Sequence, residues 1–236
     1  MSAQREVIGA GLFPTPEIVA GENFGSQPDR ARSSSGWNPE SFAREQIQGL
    51  VREVFLSSAA RQVRQVVFSA MDAETDVRGI CRQVGEALAA ETPGKVGVMG
   101  GFPRLLSEVG TEESVDDPRL PPLRRISTRV RGNLWLVPSA GDEEQRTAAS
   151  LHSYLGEMRR EFEYSIVEAA PAGESTDTTA MAQFADGIIL VLRAGHTRKV
   201  AARKVKQNLE GGQAHLLGTI LSERVFSIPE GIYRRL

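Results

Sequence analysis

An α/β fold, a mostly parallel sheet with helices on both faces, is the class this sequence predicts, on three observations. Short, nearly continuous apolar runs recur along the chain, and each is followed by a stretch with apolar residues three and four apart. The junctions are rich in Gly, Pro, Ser and acids, as turns between such units are. Apolar runs without polar alternation belong to strands covered on both faces, which is the condition of a parallel sheet.

Residues 1–38 carry Gly21, Gly25, Pro28, Ser33 to Ser35 and Gly36 with no sustained period. They read as a flexible N-terminal arm, in which Phe13 and Phe24 are isolated aromatics, before a domain at 39–236. From Pro39 the spacing turns helical. Ile47, Leu50, Val51, Val54 and Phe55 share one face, which must cover the sheet or a neighbouring subunit. A strand at 66–69 follows, then a helix whose inner face is Val77, Ile80, Cys81, Val84 and Leu88. A second strand spans 96–99, and residues 104–131 read as irregular, with a basic run Arg124, Arg125, Arg129 and Arg131. A third strand at 134–137 leads to a helix with Ala148, Leu151, Leu155, Met158 and Phe162 inward. Strand 164–167 ends at Glu168, and a short helix is expected near 178–184. The most apolar strand, 188–192, precedes a helix over 197–209 with Ala201, Ala202, Val205 and Leu209 inward, stopped by Gly211 and Gly212. A last strand covers 216–221. Ligands of such sheets bind at the carboxyl ends of the strands, so the loops 70–76, 100–105, 168–177 and 193–198 hold the candidate site.

Composition narrows the function. A formal net charge of −2 gives no global attraction to nucleic acid or anionic membrane. A single cysteine, Cys81, excludes an internal disulfide framework and suits a reducing compartment. No signal peptide is expected at the start, and run 188–192 is far short of the roughly 20 apolar residues that a membrane span needs. His152, His196 and His215 lack metal-ligand spacing, so no metal site is expected.

Two segments carry a resemblance to a known family. Residues 163–171 read Glu-Tyr-Ser-Ile-Val-Glu-Ala-Ala-Pro, and 181–195 read Met-Ala-Gln-Phe-Ala-Asp-Gly-Ile-Ile-Leu-Val-Leu-Arg-Ala-Gly. With the ending Ile-Pro-Glu-Gly-Ile-Tyr-Arg-Arg-Leu at 228–236, they resemble the cytoplasmic domain of bacterial tyrosine kinases (BY-kinases) of capsule and exopolysaccharide assembly. That resemblance implies a P-loop NTPase-like three-layer α/β/α fold of the deviant-Walker (SIMIBI) class, with a cytoplasmic location, peripheral at the inner membrane through a partner. It covers residues 40–236 and is specific mainly in the second half.

Each catalytic motif of that family departs here. The phosphate loop Gly-x-Gly-Lys-Ser/Thr needs glycine amides near phosphate oxygens and a lysine to neutralise them. Preceded by Asp72, the matching positions are Glu74, Thr75, Asp76, Val77 and Arg78. Strand two ends Val98-Met99-Gly100-Gly101-Phe102, where the family places Asp-x-Asp for magnesium. Glu168 stands where the Walker B aspartate would, as a relic of it. The C-terminal tyrosine cluster is reduced to Tyr233, and the oligomerisation signature Glu-x-x-Arg-x-x-Arg keeps Glu45 but shows Gln48 and Val51.

For the acidic loop, Thr75 or Asp76 suits a helix cap, and Asp76 or Glu74 is expected to supply the negative charge that phosphate would bring. Arg193, His196, Arg198 and Lys199 form the remaining candidate anion pocket. The leading expectation is a non-catalytic or weakly active BY-kinase-like scaffold or regulator with no cofactor. It would dock through residues 40–56 and the arm on a membrane polysaccharide co-polymerase or an active relative, with homo-oligomers allowed. The alternative is an ATP- and magnesium-dependent autokinase or ATPase with a rearranged site. A third, a partition-type ATPase, would bind DNA through Arg124 to Arg131.

Overall fold

The structure, a computed structural model, describes residues 39–57, 62–100, 120–140 and 147–223. The arm at 1–38, loop residues 101–105, the ending 228–236 and Tyr233 lie outside them. Seven strands form one sheet: β1 (Gln65–Ala70), β2 (Val96–Met99), β3 (Thr128–Arg131), β4 (Leu134–Val137), β5 (Tyr164–Glu168), β6 (Gly187–Arg193) and β7 (Leu216–Ser222). Their order is β3-β4-β2-β5-β1-β6-β7, with every neighbouring pair parallel except β3 and β4. The helices are α1 (Pro39–Val51), continued by a π-helical turn (Arg52–Leu56), α2 (Val77–Glu91), α3 (Pro122–Ile126), α4 (Ala148–Glu161), α5 (Thr176–Phe184) and α6 (Lys199–Gly211).

Alternation along the strands divides the core in two. Val66, Phe68, Ile166, Ile189 and Val191 meet Val51, Phe55, Val77, Cys81, Val84 and Leu88 on one face. Val67, Val167, Ile188 and Leu190 meet Leu151, Leu155, Met158, Met181, Val205 and Leu209 on the other. The expected three-layer α/β/α arrangement is thus present, with α1 and α2 on one side and α3 to α6 on the other. Gly97 lets β2 pass under the ring of Phe162, which a Cβ there would meet at 2.8 Å.

Helix α1 packs on α2 of its own chain, which settles what that face covers. Val51 and Phe55 are buried, Phe55 meets Tyr164 edge to face at 6.1 Å, and Arg52 bridges to Glu91 at 2.8 Å. The apolar side of 40–56 is therefore spent inside the chain. Two further expectations need correction. Residues 120–131 are not irregular: they form α3 and the antiparallel edge strand β3, turned back by Gly132 at φ 53°. Glu161, in the last turn of α4, accepts from the backbone N–H of Leu123 and Arg124, both at 3.0 Å, and so closes the N-terminus of α3. In α6, Val205 and Leu209 are buried, but Ala201, in the first turn, is exposed, so contact with the sheet starts a turn later than the spacing implies.

Candidate functional site

A cavity of about 540 Å³ opens at the carboxyl ends of β1, β2 and β5, lined by Ala70, residues 72–78, Met99, Gly100, Ser139 and residues 168–171. Two hydroxyls fix its floor: Ser69 and Thr178 both donate to the carbonyl of Ala170 at 2.7 Å. The N–H of Ala172 bonds to the carbonyl of Ala70 at 2.9 Å, which ties the loop after β5 to the end of β1.

The loop from β1 to α2 is ordered by its own acids. Asp72 Oδ1 accepts from Thr75 Oγ1 at 2.9 Å and from the N–H of Glu74 at 3.2 Å, an Asx-type turn. Asp76 is the N-cap of α2, its Oδ1 accepting the N–H of Gly79 at 2.9 Å. Of the two candidate caps, Asp76 does the capping, and Thr75 is buried against Asp72. Val77, at the position of the family lysine, is 7% exposed and sits in the core beside Cys81.

Glu74 takes a different partner. Its carboxylate lies 2.8 Å from Arg193 at the end of β6, joining two loops that are adjacent because β1 and β6 pair. The hydrogen bond to Glu74 pushes the Arg193 pKa up; burial opposes this, and the charges of Glu74, Asp72 and Glu223 reinforce it. Arg193 Nε is buried with no hydrogen-bond partner among the described residues. Thr197 Oγ1 accepts the Arg193 N–H at 2.9 Å in a turn that Gly195 makes possible with φ 74°.

The cations of the candidate anion pocket thus differ in their surroundings. Arg193 faces Glu74, while His196, Arg198 and Lys199 are exposed on the turn and at the start of α6. Arg78 lines the cavity with its Nε 3.4 Å from Glu168 Oε2, so this acid has a cation beside it. Burial, then the negative charges of Glu168 and Asp76, push the Cys81 thiol well up, which leaves it a core residue without reactive character. No group of three His, Cys, Asp or Glu side chains with metal-binding geometry occurs among the described residues.

The basic run also resolves into local contacts. Arg124 is half-hidden near Glu161 at 3.8 Å, Arg125 donates to the Leu120 carbonyl at 2.9 Å, and Arg129 donates to the Gly132 carbonyl at 2.6 Å and lies over the Trp135 ring. Arg125, Arg129 and Arg131 nonetheless stay exposed along the β3 edge.

Strand order and helical layers define a three-layer α/β/α fold with a cavity at the β1–α2 junction. Comparison with known proteins finds similarity to a narrower group. The chain is 31% identical over 94 residues to the tyrosine-protein kinase CpsD of Streptococcus agalactiae, covering 38% of this chain and 40% of that one. The Streptococcus pneumoniae CpsD is 30% identical over 106 residues, 43% of this chain and 47% of the relative. The match thus spans less than half the length of these curated relatives. Among solved structures, the chimerical protein CapA2B2 superposes with a TM-score of 0.61 at 15% identity, over 80% of this chain and 86% of that one. The kinase domain of the Escherichia coli tyrosine kinase ETK gives 0.58 at 15%, over 79% of each chain. No family model matches. The likeness to BY-kinase domains read from residues 163–195 is thus met in sequence over a segment and in fold over most of the chain.

Proposed function

We propose that this protein is a non-catalytic or weakly active BY-kinase-like scaffold or regulator in exopolysaccharide or capsule biosynthesis and export. The observation that supports this reading best is the occupation of the phosphate-loop position by the chain's own acids. Asp76 holds the Gly79 N–H, and Glu74 holds Arg193. A triphosphate placed in this cavity would meet the carboxylates of Asp72, Glu74 and Asp76, and at an effective dielectric near 20 a unit charge 5 Å away costs roughly 3 kcal/mol. Magnesium would find Glu168 already on Arg78 and no Asp-x-Asp after β2.

The residues present therefore fit a MgATP complex poorly, and the reading involves no cofactor. A docking role then rests on surface outside the cavity: the outer side of α1, where Arg44 and Glu45 are exposed, and the arm at 1–38. The partner proposed from the resemblance is a membrane polysaccharide co-polymerase or an active kinase relative. Among the described residues, no helix is long and apolar enough to cross a membrane. Membrane association in this reading comes through the partner.

Isothermal titration of the full chain with ATP and magnesium tests the reading directly. No binding in the micromolar range is expected, and no transfer of labelled phosphate to Tyr233. Micromolar binding, or turnover lost on Glu168→Gln, would establish the rearranged-site autokinase instead.

A further inference from the structure

The outward face of α6 is the feature that neither the fold nor the site uses. Between Arg198 and Gly211 the chain carries Arg198, Lys199, Arg203, Lys204 and Lys206 against one acid, Glu210, in a protein whose formal net charge is −2. All five cations are exposed. Lys206 reaches Glu210 at 3.7 Å; the other four have no ion pair among the described residues.

Helix stability does not call for this arrangement. Arg198 and Lys199 stand at the positive end of the helix dipole, with no acid in the first turn and no side-chain cap. That placement opposes the usual preference for acids at a helix start. The helix buries only Val205 and Leu209. Counting from Val200, the residues three, four and seven positions on are Arg203, Lys204 and Gln207, which share the face turned away from the sheet. At the head of that face Val200 is 80% exposed, the most exposed of the large apolar side chains described.

We propose that this face of α6 adds a direct contact with an anionic phospholipid surface to any association made through a partner. Four or more Lys and Arg on a helix are attracted to a negatively charged leaflet, and an apolar side chain among them gains by entering the headgroup layer. The convex, cationic face with Val200 at its head suits a planar anionic layer. A single-stranded nucleic acid fits it less well, since 198–211 holds no aromatic side chain to stack on bases. The contact is separate from the cavity and independent of whether the site binds nucleotide.

The test is co-sedimentation of the full chain with phosphatidylcholine vesicles, with and without phosphatidylglycerol. Binding only to the anionic vesicles, weakening with salt, is expected. Arg203→Gln with Lys204→Gln should lower the partition coefficient roughly thirtyfold, about fivefold per charge. Arg125→Gln with Arg131→Gln, an equal loss of charge at the β3 edge, should leave it within about twofold if the contact falls to α6 alone. Val200→Ser should weaken binding without altering its salt dependence. An unchanged urea midpoint verifies that each variant is folded. Equal binding to both vesicle types, indifference to the α6 pair, or preferential capture of duplex DNA would overturn the proposal.

Discussion

Removing the Asp76 carboxylate separates two roles that the structure assigns to one group. As N-cap it satisfies the Gly79 N–H at 2.9 Å, and its charge sits at the positive end of α2. Asn caps about as well as Asp, so Asp76→Asn removes mainly the charge and should cost about 0.3–1 kcal/mol. Asp76→Ala removes the acceptor too and should cost about 1–2 kcal/mol. For a chain of this size that is roughly a 2–8 °C fall in Tm, or a matching shift of the urea midpoint. Ligand binding should move the opposite way. With Glu74→Gln added, the Gly79 amide region and Arg193 both lose their internal anions, so inorganic pyrophosphate or ATP should bind more tightly to the double variant than to the natural chain. Calorimetry with each ligand reads this directly. Loss of stability with no gain in anion affinity would show that the acids only cap and brace the loop, and the account of a self-filled site would be wrong.

Other perturbations reach parts of the molecule away from this loop. Asp186 is 5% exposed and accepts from the N–H of Arg64 at 2.8 Å and Gln65 at 2.9 Å, with Arg159 at 3.1 Å. Asp186→Ala should therefore cost about 3 kcal/mol in urea unfolding, and Asp186→Asn, which keeps an acceptor, less. Burial pushes the Asp186 pKa up, but the two backbone donors and Arg159 outweigh it, so the net direction is down from 3.8. A depressed folded pKa means that this contribution is complete above the unfolded value and disappears as pH falls through the folded one. The acid limb of the stability profile should flatten in the Asn variant. Cys81 should react with a thiol reagent only as fast as the chain unfolds, and immediate labelling in native buffer would contradict its place in the core. Gly97→Ala should cost about 1–3 kcal/mol, because Phe162 must shift to admit the methyl group.

Much of this architecture was legible because the central strands are buried on both faces. Runs such as Ile188 to Val191 and Val66 to Phe68 must be apolar on both sides, and that leaves an unmistakable sequence trace. The pair α3 and β3 left none. Five helical residues and four strand residues with alternating arginines carry little local signal; their order comes from Glu161 and from pairing with β4. The loop's acidic character was equally plain, and so was the suitability of Asp76 as a cap. Glu74 on Arg193 was not, since the two are brought together only when β1 and β6 become neighbours. That Arg193 pairs with Glu74 while Arg198 and Lys199 stay exposed was hidden for the same reason: adjacency in the chain cannot reveal which cation an acid from another loop will claim.

The carboxylate of Glu161 sets an order of assembly. A five-residue helix cannot persist alone, and α3 begins at Pro121-Pro122 without a side-chain cap of its own. Its first amides are met only once the last turn of α4 lies on the sheet. The β3 edge, which follows α3 directly, thus depends on the end of α4 as well as on its own pairing with β4.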